Sequence, residues 1–486
     1  MSKYLNDIAH YTGIKEILGN SNAVVKTLVL DSRQVGEDAL FFAVKGSSVD
    51  AHQFIPKAIA DGASVIVCSD LPKELHDTVS YVLVDDVQQS VGYFASEFYE
   101  KPSEKMTLVG VTGTNGKTST CTMLYNLFTS LGYTCGLIST VEYIIGKTTY
   151  TSTHTTPDPI RLNALMHEMQ EASCTYCFME VSSHAVVQGR INGLHFAGGV
   201  FTNITHDHLD YHGTFDNYIK AKKKFFDQLP VDAFALTNKD DRNGQIMLQN
   251  SPAARYTYAL QSAADFTCKI LESDFEGLLL KIESEETWFA LIGKFNAYNL
   301  LAVYATAFLL GIDRFEILTH LSKQGRVNGR FEVYRSPKGI IGIVDYAHTP
   351  DALENVLSTI QHIRTGNEQL LSIAGCGGNR DKEKRPVMGK VAARMSDKVI
   401  FTSDNPRNED PNAIIEDMQN GVDPLDYKKV LKITDRKEAI KTAVMLSKPK
   451  DIILLAGKGH ETYQDINGIK HPFDDRQILI DIFKEN

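Results

Sequence analysis

No stretch of this 486-residue chain approaches about 18 consecutive apolar residues, so no membrane span is expected. Residues 1–19 hold no apolar run of signal-peptide length. An excess of basic charge is also missing. The formal net charge of −10 argues against bulk attraction to nucleic acid or to an anionic membrane surface, although local cations can still hold an anionic substrate. Cysteine is scarce, seven in all, and the scattered, odd-numbered set suits a reducing cytoplasm better than a disulfide framework. Cys174 and Cys177 form one C-x-x-C within the apolar run CTYCFMEV. A zinc ribbon needs a second such pair, and there is none, so a packing role is expected. Repeats of solenoid period and biased tracts are absent.

What remains is an ordinary globular composition, 43% apolar and 23% charged, in a chain too long for one core. Roughly two to four domains are expected. Apolar strand-like runs alternate with amphipathic helical stretches, the pattern of α/β layers around parallel sheets. Punctuation predicts three parts. Residues 1–103 contain TLVLDSR, ALFFAV, ASVIVC and YVLV and end at a polar, proline-containing turn. Residues 104–329 open with MTLVGVTG and include a more irregular, antiparallel segment near 254–292. Residues 330–486 contain IIGIVDYAH, LLSIAGCGG, KVIFTSDNP and DIILLAGKG. Those four strands end in Gly, Asp, Asn or His, which gathers polar groups where open α/β sheets bind ligands.

The strongest local signal is the run LVGVTGTNGKT at residues 108–118. A strand enters a glycine-rich turn and then a helix whose buried face is marked by Met123, Leu124, Leu127, Phe128 and Leu131, with Gly132 as its stop. Backbone N–H groups of Gly113, Thr114, Asn115, Gly116 and Ser119 can cradle phosphate oxygens. Lys117 adds positive charge, and the Thr118 hydroxyl can hold Mg²⁺. Val111 stands where the strict phosphate-loop pattern wants glycine, so the loop is a variant.

Two polar runs follow later strands, FMEVSSH at residues 178–184 and FTNITHDHLDYH at 201–212. A Mg²⁺ site needs one or two carboxylates plus water and phosphate, and Glu180 qualifies. The second run nearly matches the H-x-H-x-D-H zinc signature of metallo-hydrolases, with one extra residue before His212. A zinc hydrolase has no use for a phosphate loop. On residue type alone, each histidine there reads as a satisfied polar group. The helical stretch YIKAKKKFF at 218–226 carries four lysines, and composition singles out none of them.

Taken in order, G-T-N-G-K-T-S, E-V-S-S-H, D-H-L-D-Y-H-G, G-K-F-N-A-Y-N and D-Y-A-H-T-P-D resemble the Mur ligase family over essentially the whole chain. The resemblance implies an α/β, three-domain Mur ligase architecture: a UDP-sugar-binding first domain, a central P-loop ATPase domain and a C-terminal Rossmann-like domain. It implies an ATP- and Mg²⁺-dependent ligase of the cytoplasm, active as a monomer, in peptidoglycan precursor synthesis. The substrates would be UDP-N-acetylmuramoyl-L-alanyl-D-glutamate and meso-diaminopimelate, with an acyl phosphate as intermediate. By the same resemblance Thr118, Glu180 and His208 contact metal, and Lys222 carries a carbamate as a further metal ligand; a slipped register would move that role to Lys223 or Lys224. Asn296 and Asn299 lie on the adenine side, with Arg330, Asp345 and His348 approaching ATP from the third domain. Leu30, Ser32, Ser47, Ser48 and Val49 would hold the nucleotide sugar, and Thr155, Thr156, Ser182, Gln188 and Arg190 the muramoyl dipeptide.

For the incoming amino acid the resemblance points to Arg380, to Asp404, Asn405, Pro406 and Arg407, and to Gly457 and Glu461. Alone, Arg407 would be a surface arginine in a proline turn. Within the D-N-P-R motif it matches relatives that select meso-diaminopimelate, whose second carboxylate a guanidinium can clamp with two parallel hydrogen bonds. L-lysine as substrate, a folylpolyglutamate-type ligase and a nucleotide-binding regulator without catalysis are the alternatives.

Overall fold

Three large sheets carry the chain in the computed structural model, which describes residues 1–46, 49–152 and 154–485. The first sheet has the order Ile14–Leu18, Ser80–Val84, Ala63–Cys68, Ala39–Phe42, Thr27–Val29. Its last four strands are parallel, and Ile14–Leu18 pairs antiparallel with Ser80–Val84. Runs such as ALFF are buried on both faces, as parallel sheets require.

The central sheet is built on five parallel strands in the order Cys135–Ile138, Tyr176–Glu180, Thr107–Thr112, Gly198–Phe201, Phe234–Asn238. Helices Lys117–Ser130 and Lys294–Leu309 bury one face. Helices Pro159–Glu171 and Phe215–Asp227 bury the other. In Lys117–Ser130 the expected positions Met123, Leu124, Leu127 and Phe128 are buried, each worth about 1.5–3 kcal/mol of apolar transfer. Leu131 is only partly buried because it caps the helix, and Gly132 ends it at φ 98°.

The segment near 254–292 is antiparallel only in part. Ala254–Ala259 and Phe266–Ser273 extend the sheet in parallel, and only Leu278–Ile282 and Glu285–Phe289 run antiparallel. The Asp240 carboxylate accepts the backbone N–H groups of Leu260, Gln261 and Ser262, which turns the connection back so that the next strand restarts in the same direction.

The third sheet has the order Glu332–Arg335, Ile341–Asp345, Ile452–Ala456, Leu370–Ala374, Lys398–Phe401, Val430–Lys432, parallel except for its first pair. We propose domain boundaries at 103/104 and 329/330, between the residues that form these sheets. Ile292 joins the core of the third sheet, and the Phe295 and Phe331 rings meet at 6.2 Å, so an apolar seam ties the second part to the third. All seven cysteines, Cys174 and Cys177 included, are buried and unpaired. Among the described residues no helix is long and apolar enough to cross a membrane.

One fully buried ion pair holds the last helix. Arg436 donates to both oxygens of Asp475 at 2.8 and 2.6 Å and to the Ala456 carbonyl at 2.9 Å. Asp475→Ala would leave the guanidinium buried without its counter-charge, so a loss of about 3–5 kcal/mol in denaturant unfolding is expected.

Candidate active site

The phosphate loop leaves the carboxyl end of Thr107–Thr112 at the centre of the sheet. Gly113 (φ 152°) and Gly116 (φ 91°) both lie at φ values that favour glycine. A Cβ on Gly113 would run into the Thr202 hydroxyl, and one on Gly116 would sit 2.5 Å from Asn299 Oδ1. The loop is pinned from the neighbouring strand end. Thr114 N donates to Asn203 O at 2.8 Å, Asn115 N to Asn203 Oδ1 at 2.9 Å, and Thr202 Oγ1 to Asn115 O at 2.6 Å. Neither Thr202 nor Asn203 stood out in the sequence; their position after an apolar strand run was the available signal. Lys117 Nζ donates to the carbonyls of Gly113 and Thr114, both at 2.9 Å. Burial lowers its pKa, with Glu180 and Asp207 opposing.

Thr118 Oγ1 donates to Glu180 Oε1 at 2.9 Å and accepts from Arg330 NH2 at 3.2 Å. Glu180, at the end of Tyr176–Glu180, is fully buried. Its other donors come from a residue the sequence did not single out: Thr140 N at 2.8 Å and Thr140 Oγ1 at 3.1 Å. His208 sits beside Asp207 (3.3 Å) at φ 54°, and its ring lies 5.0 Å from that of His184. Burial, Lys117 and Lys222 depress its basicity against the pull of Asp207. Among the described residues no three His, Cys, Asp or Glu side chains converge as a complete metal cage. Thr118 and Glu180 nonetheless fit Mg²⁺, which keeps waters and phosphate oxygens and needs only one or two carboxylates.

Helix Phe215–Asp227 presents its four lysines differently. Lys220 and Lys223 pair with Asp216 and Asp227, and Lys224 is exposed. Lys222 alone is buried, its Nζ 2.9 Å from the same Gly113 carbonyl that Lys117 uses. Burial and Lys117 push its pKa well down. A buried cation beside a second cation suits a group that is converted to an anion, and Lys222→Met is expected to cut turnover on the order of 100-fold without loss of the fold. Steady-state rates with and without added bicarbonate check this; Lys222→Met at wild-type rate would contradict it.

The expected dipeptide contacts form one network against Glu180. Thr156 Oγ1 donates to Glu180 O at 2.8 Å and accepts from Ser182 N at 3.2 Å. Arg190 donates to Thr156 O at 2.6 Å and to Gln188 Oε1 at 2.9 and 2.6 Å, and the Thr155 and Thr140 hydroxyl oxygens lie 3.0 Å apart.

From the third sheet, Asp345 accepts Phe331 N at 2.7 Å, and burial pushes its pKa up to about 6 despite Arg330. Burial and Lys384 bring His348 down to about 4. Asp351, another residue not foreseen, accepts Asn115 Nδ2 at 2.7 Å and so joins the third part to the phosphate loop. Asn299 faces the loop. Asn296 is turned away from the cleft, because its amide donates to Ile292 O at 2.8 Å and its Oδ1 accepts from Asn299 at 3.3 Å.

At the far end of the same cleft, Arg407 (φ 51°) donates from NH1 to Gly378 O at 2.9 Å, and its Nε lies 3.9 Å from Asp465. Asp404, Asn405, Gly457, Glu461 and the exposed Arg380 line the wall around it, whereas Pro406 does not. The whole cleft holds about 1780 Å³ and runs from residues 114–119 past Glu180 and Thr155 to Arg407. It does not reach Leu30, Ser32 or Val49 of the first part, and Gln188 stands behind Arg190 rather than on its surface. Ser47 and Ser48 lie outside the described residues.

A phosphate loop at the carboxyl end of one parallel sheet, facing the carboxyl end of a second across a shared cleft, defines a multidomain nucleotide-dependent enzyme. Residues 24–99, 111–307 and 329–459 match, in turn, the Mur ligase family catalytic domain, the Mur ligase middle domain and the Mur ligase glutamate ligase domain. The chain is similar to the UDP-N-acetylmuramoyl-L-alanyl-D-glutamate--2,6-diaminopimelate ligase of Cytophaga hutchinsonii, 54% identical over 477 residues and 98% of each chain. It is 40% identical to the enzyme of that name from Clostridioides difficile, over 98% of each. The chain belongs to the Mur ligase family, with that family's three-domain α/β fold. A solved structure of a UDP-N-acetylmuramoyl-L-alanyl-D-glutamate--2,6-diaminopimelate ligase superposes with a TM-score of 0.70 at 31% identity, covering 100% of this chain and 99% of the other. Folylpolyglutamate synthase of Mycobacterium tuberculosis shares the fold alone, with a TM-score of 0.62 at 16% identity over 76% of this chain and 92% of that one.

Proposed function

We propose that the chain is the ATP-dependent ligase that joins meso-diaminopimelate to UDP-N-acetylmuramoyl-L-alanyl-D-glutamate. The observation that carries this reading is the continuity of one cleft from the phosphate loop to the D-N-P-R loop, with Glu180 and the Thr156–Arg190 network between. A glutamyl carboxylate oxygen attacks the γ-phosphorus of ATP, the bond to the bridging oxygen breaks, and ADP leaves. The amine of diaminopimelate then adds to the acyl carbon and loses a proton as phosphate departs with the C–O electron pair, which leaves an amide.

Both reactants of the first step are anions, so the chain must supply positive charge. Lys117 and the N-terminus of helix Lys117–Ser130 do so at the phosphates, and Arg330 adds a guanidinium beside Thr118. Arg190 and Thr156 orient the dipeptide toward Glu180. Mg²⁺, held by Thr118, Glu180, His208 and Lys222 as its carbamate, would neutralise phosphate charge. Gly113 to Ser119, Asn299, Asp345 and His348 form the nucleotide side, and Leu30, Ser32 and Val49 the UDP end of the sugar substrate. Use of ATP favours a cytoplasmic reaction, and a cleft lined by residues of one chain supports a monomer as the active unit.

Oxygen transfer tests the chemistry. With ¹⁸O in the glutamyl carboxylate, one label per turnover is expected in the released phosphate. Label retained wholly in the amide product and residual substrate would rule out the acyl phosphate.

A further inference from the structure

Lys458 is fully buried and does not line the cleft, yet all three of its acceptors do. Its Nζ donates to Asp404 Oδ1 at 3.4 Å, Asn405 Oδ1 at 3.1 Å and Glu461 Oε2 at 3.3 Å, one acceptor for each ammonium hydrogen. Asn405 closes the set: its Nδ2 donates to Glu461 Oε2 at 2.8 Å, and its Oδ1 also accepts Asp465 N at 2.9 Å. Glu461 N donates to the Lys458 carbonyl at 2.9 Å, so the lysine holds Glu461 at both backbone and side chain. Glycines on either side allow the turn. A Cβ on Gly457 (φ 115°) would lie 2.7 Å from Asp404 Oδ2, and one on Gly459 (φ 50°) would lie 2.7 Å from the Tyr346 Cβ.

We infer that Lys458 is a positioning residue that sets the charge and shape of the amino-acid pocket, holding Asp404, Asn405 and Glu461 so that one surplus negative charge faces an incoming ammonium. The inference rests on the ligase reading above and adds a residue to it. Two carboxylates against one lysine leave a single negative charge unmatched. Burial raises both acids, but Lys458 and Arg436 outweigh it at Asp404, whose pKa stays low; at Glu461 burial and Asp404 win, and its pKa is raised. Glu461 is therefore the carboxylate that gains most from a ligand ammonium, while Arg407 across the pocket faces a ligand carboxylate. His348, Tyr346, Tyr463 and Arg436 are the other titratable or charged groups that act on this pair.

Lys458→Met keeps an unbranched side chain of similar volume and removes the charge. The expected result is a rise in KM for meso-diaminopimelate and a fall in its kcat/KM on the order of 100-fold, with KM for ATP little changed. Without the cation the two carboxylates share a proton more readily, so the acidic limb of kcat/KM for the diamino acid moves to higher pH by about one unit. The double variant Lys458→Met/Asp404→Asn removes one carboxylate with its lysine, so its limb is expected back at the wild-type position; it also serves if the single variant does not fold. Wild-type KM and an unmoved limb in Lys458→Met, or a displaced limb that persists in the double variant, would overturn the proposal. Those outcomes require an active wild-type enzyme. A wild type that never turns over diaminopimelate would instead sink the ligase reading itself.

Discussion

Lys117→Met is expected to lower kcat/KM for ATP on the order of 10³-fold while leaving the protein folded. The lysine spends two of its three N–H donors on the Gly113 and Thr114 carbonyls, which fixes the ammonium over the loop with the third available to a phosphate oxygen. A unit charge about 4 Å away is worth roughly 4 kcal/mol at the effective dielectric of a protein cleft, or about three decades in rate. Methionine fills the same volume with no charge, so the loss falls on the step that brings a carboxylate to the γ-phosphate. Lys222 lies on the same Gly113 carbonyl but opens from another helix, and it cannot replace Lys117 without giving up its own place. Phosphate release at saturating dipeptide substrate is the measurement. A loss below tenfold would mean that Lys117 does not face the reacting phosphate.

The second large effect concerns selectivity. Arg407→Ala is expected to reduce kcat/KM for meso-diaminopimelate by about 10²–10³-fold and to leave the poor use of L-lysine unchanged or slightly better. Arg407 NH1 is committed to Gly378 O, and Nε faces Asp465 at a distance too long for a strong bond. Its NH2 makes no hydrogen bond among the described residues, so the fork retains donors for a carboxylate. The left-handed backbone at this arginine costs of order 1 kcal/mol or more and persists because the hairpin Tyr463–Ile466/Ile469–Pro472 clamps it: Arg407 N donates to Asp465 O at 3.0 Å, and Asn467 N to Arg407 O at 2.8 Å. L-Lysine lacks the second carboxylate and would leave the guanidinium unpaired, which is a penalty against the wrong substrate as well as a gain for the right one. Arg407→Lys is not expected to restore selectivity, because an ammonium cannot reproduce the planar fork. Equal losses for both amino acids in Arg407→Ala would mark Arg407 as structural.

These two residues also show what a sequence can disclose. Lys117 was legible because its chemistry is local: glycines, lysine and threonine follow one strand and open one helix, and the turn needs nothing distant to be recognised. Arg407 carried meaning only inside its motif, since its strained backbone and its hairpin clamp come from residues about sixty positions away. Lys222 was singled out only by the motif, since composition could not separate it from three other lysines; its burial appears only in the fold. Thr140, Thr202, Asn203 and Asp351 went unseen because each acts through a contact between strand ends or between domains. Lys458 lay in plain view between two glycines, but its three acceptors come from two separate loops. The same limit explains the segment near 254–292, where Asp240, fourteen or more residues upstream, reverses the connection and keeps two strands parallel. Asn296, matched to the adenine side, spends an amide N–H on the Ile292 carbonyl and accepts from Asn299, partners that residue type alone does not disclose.

The most direct measurement is a competition. Equimolar meso-diaminopimelate and L-lysine are offered with ATP, Mg²⁺ and UDP-N-acetylmuramoyl-L-alanyl-D-glutamate, and the products are resolved by mass. Almost exclusive formation of the diaminopimelate adduct, with one phosphate released per adduct, is the predicted result. A lysine adduct in excess would contradict the role given to Arg407, and ATP turnover with neither adduct would contradict the ligase itself.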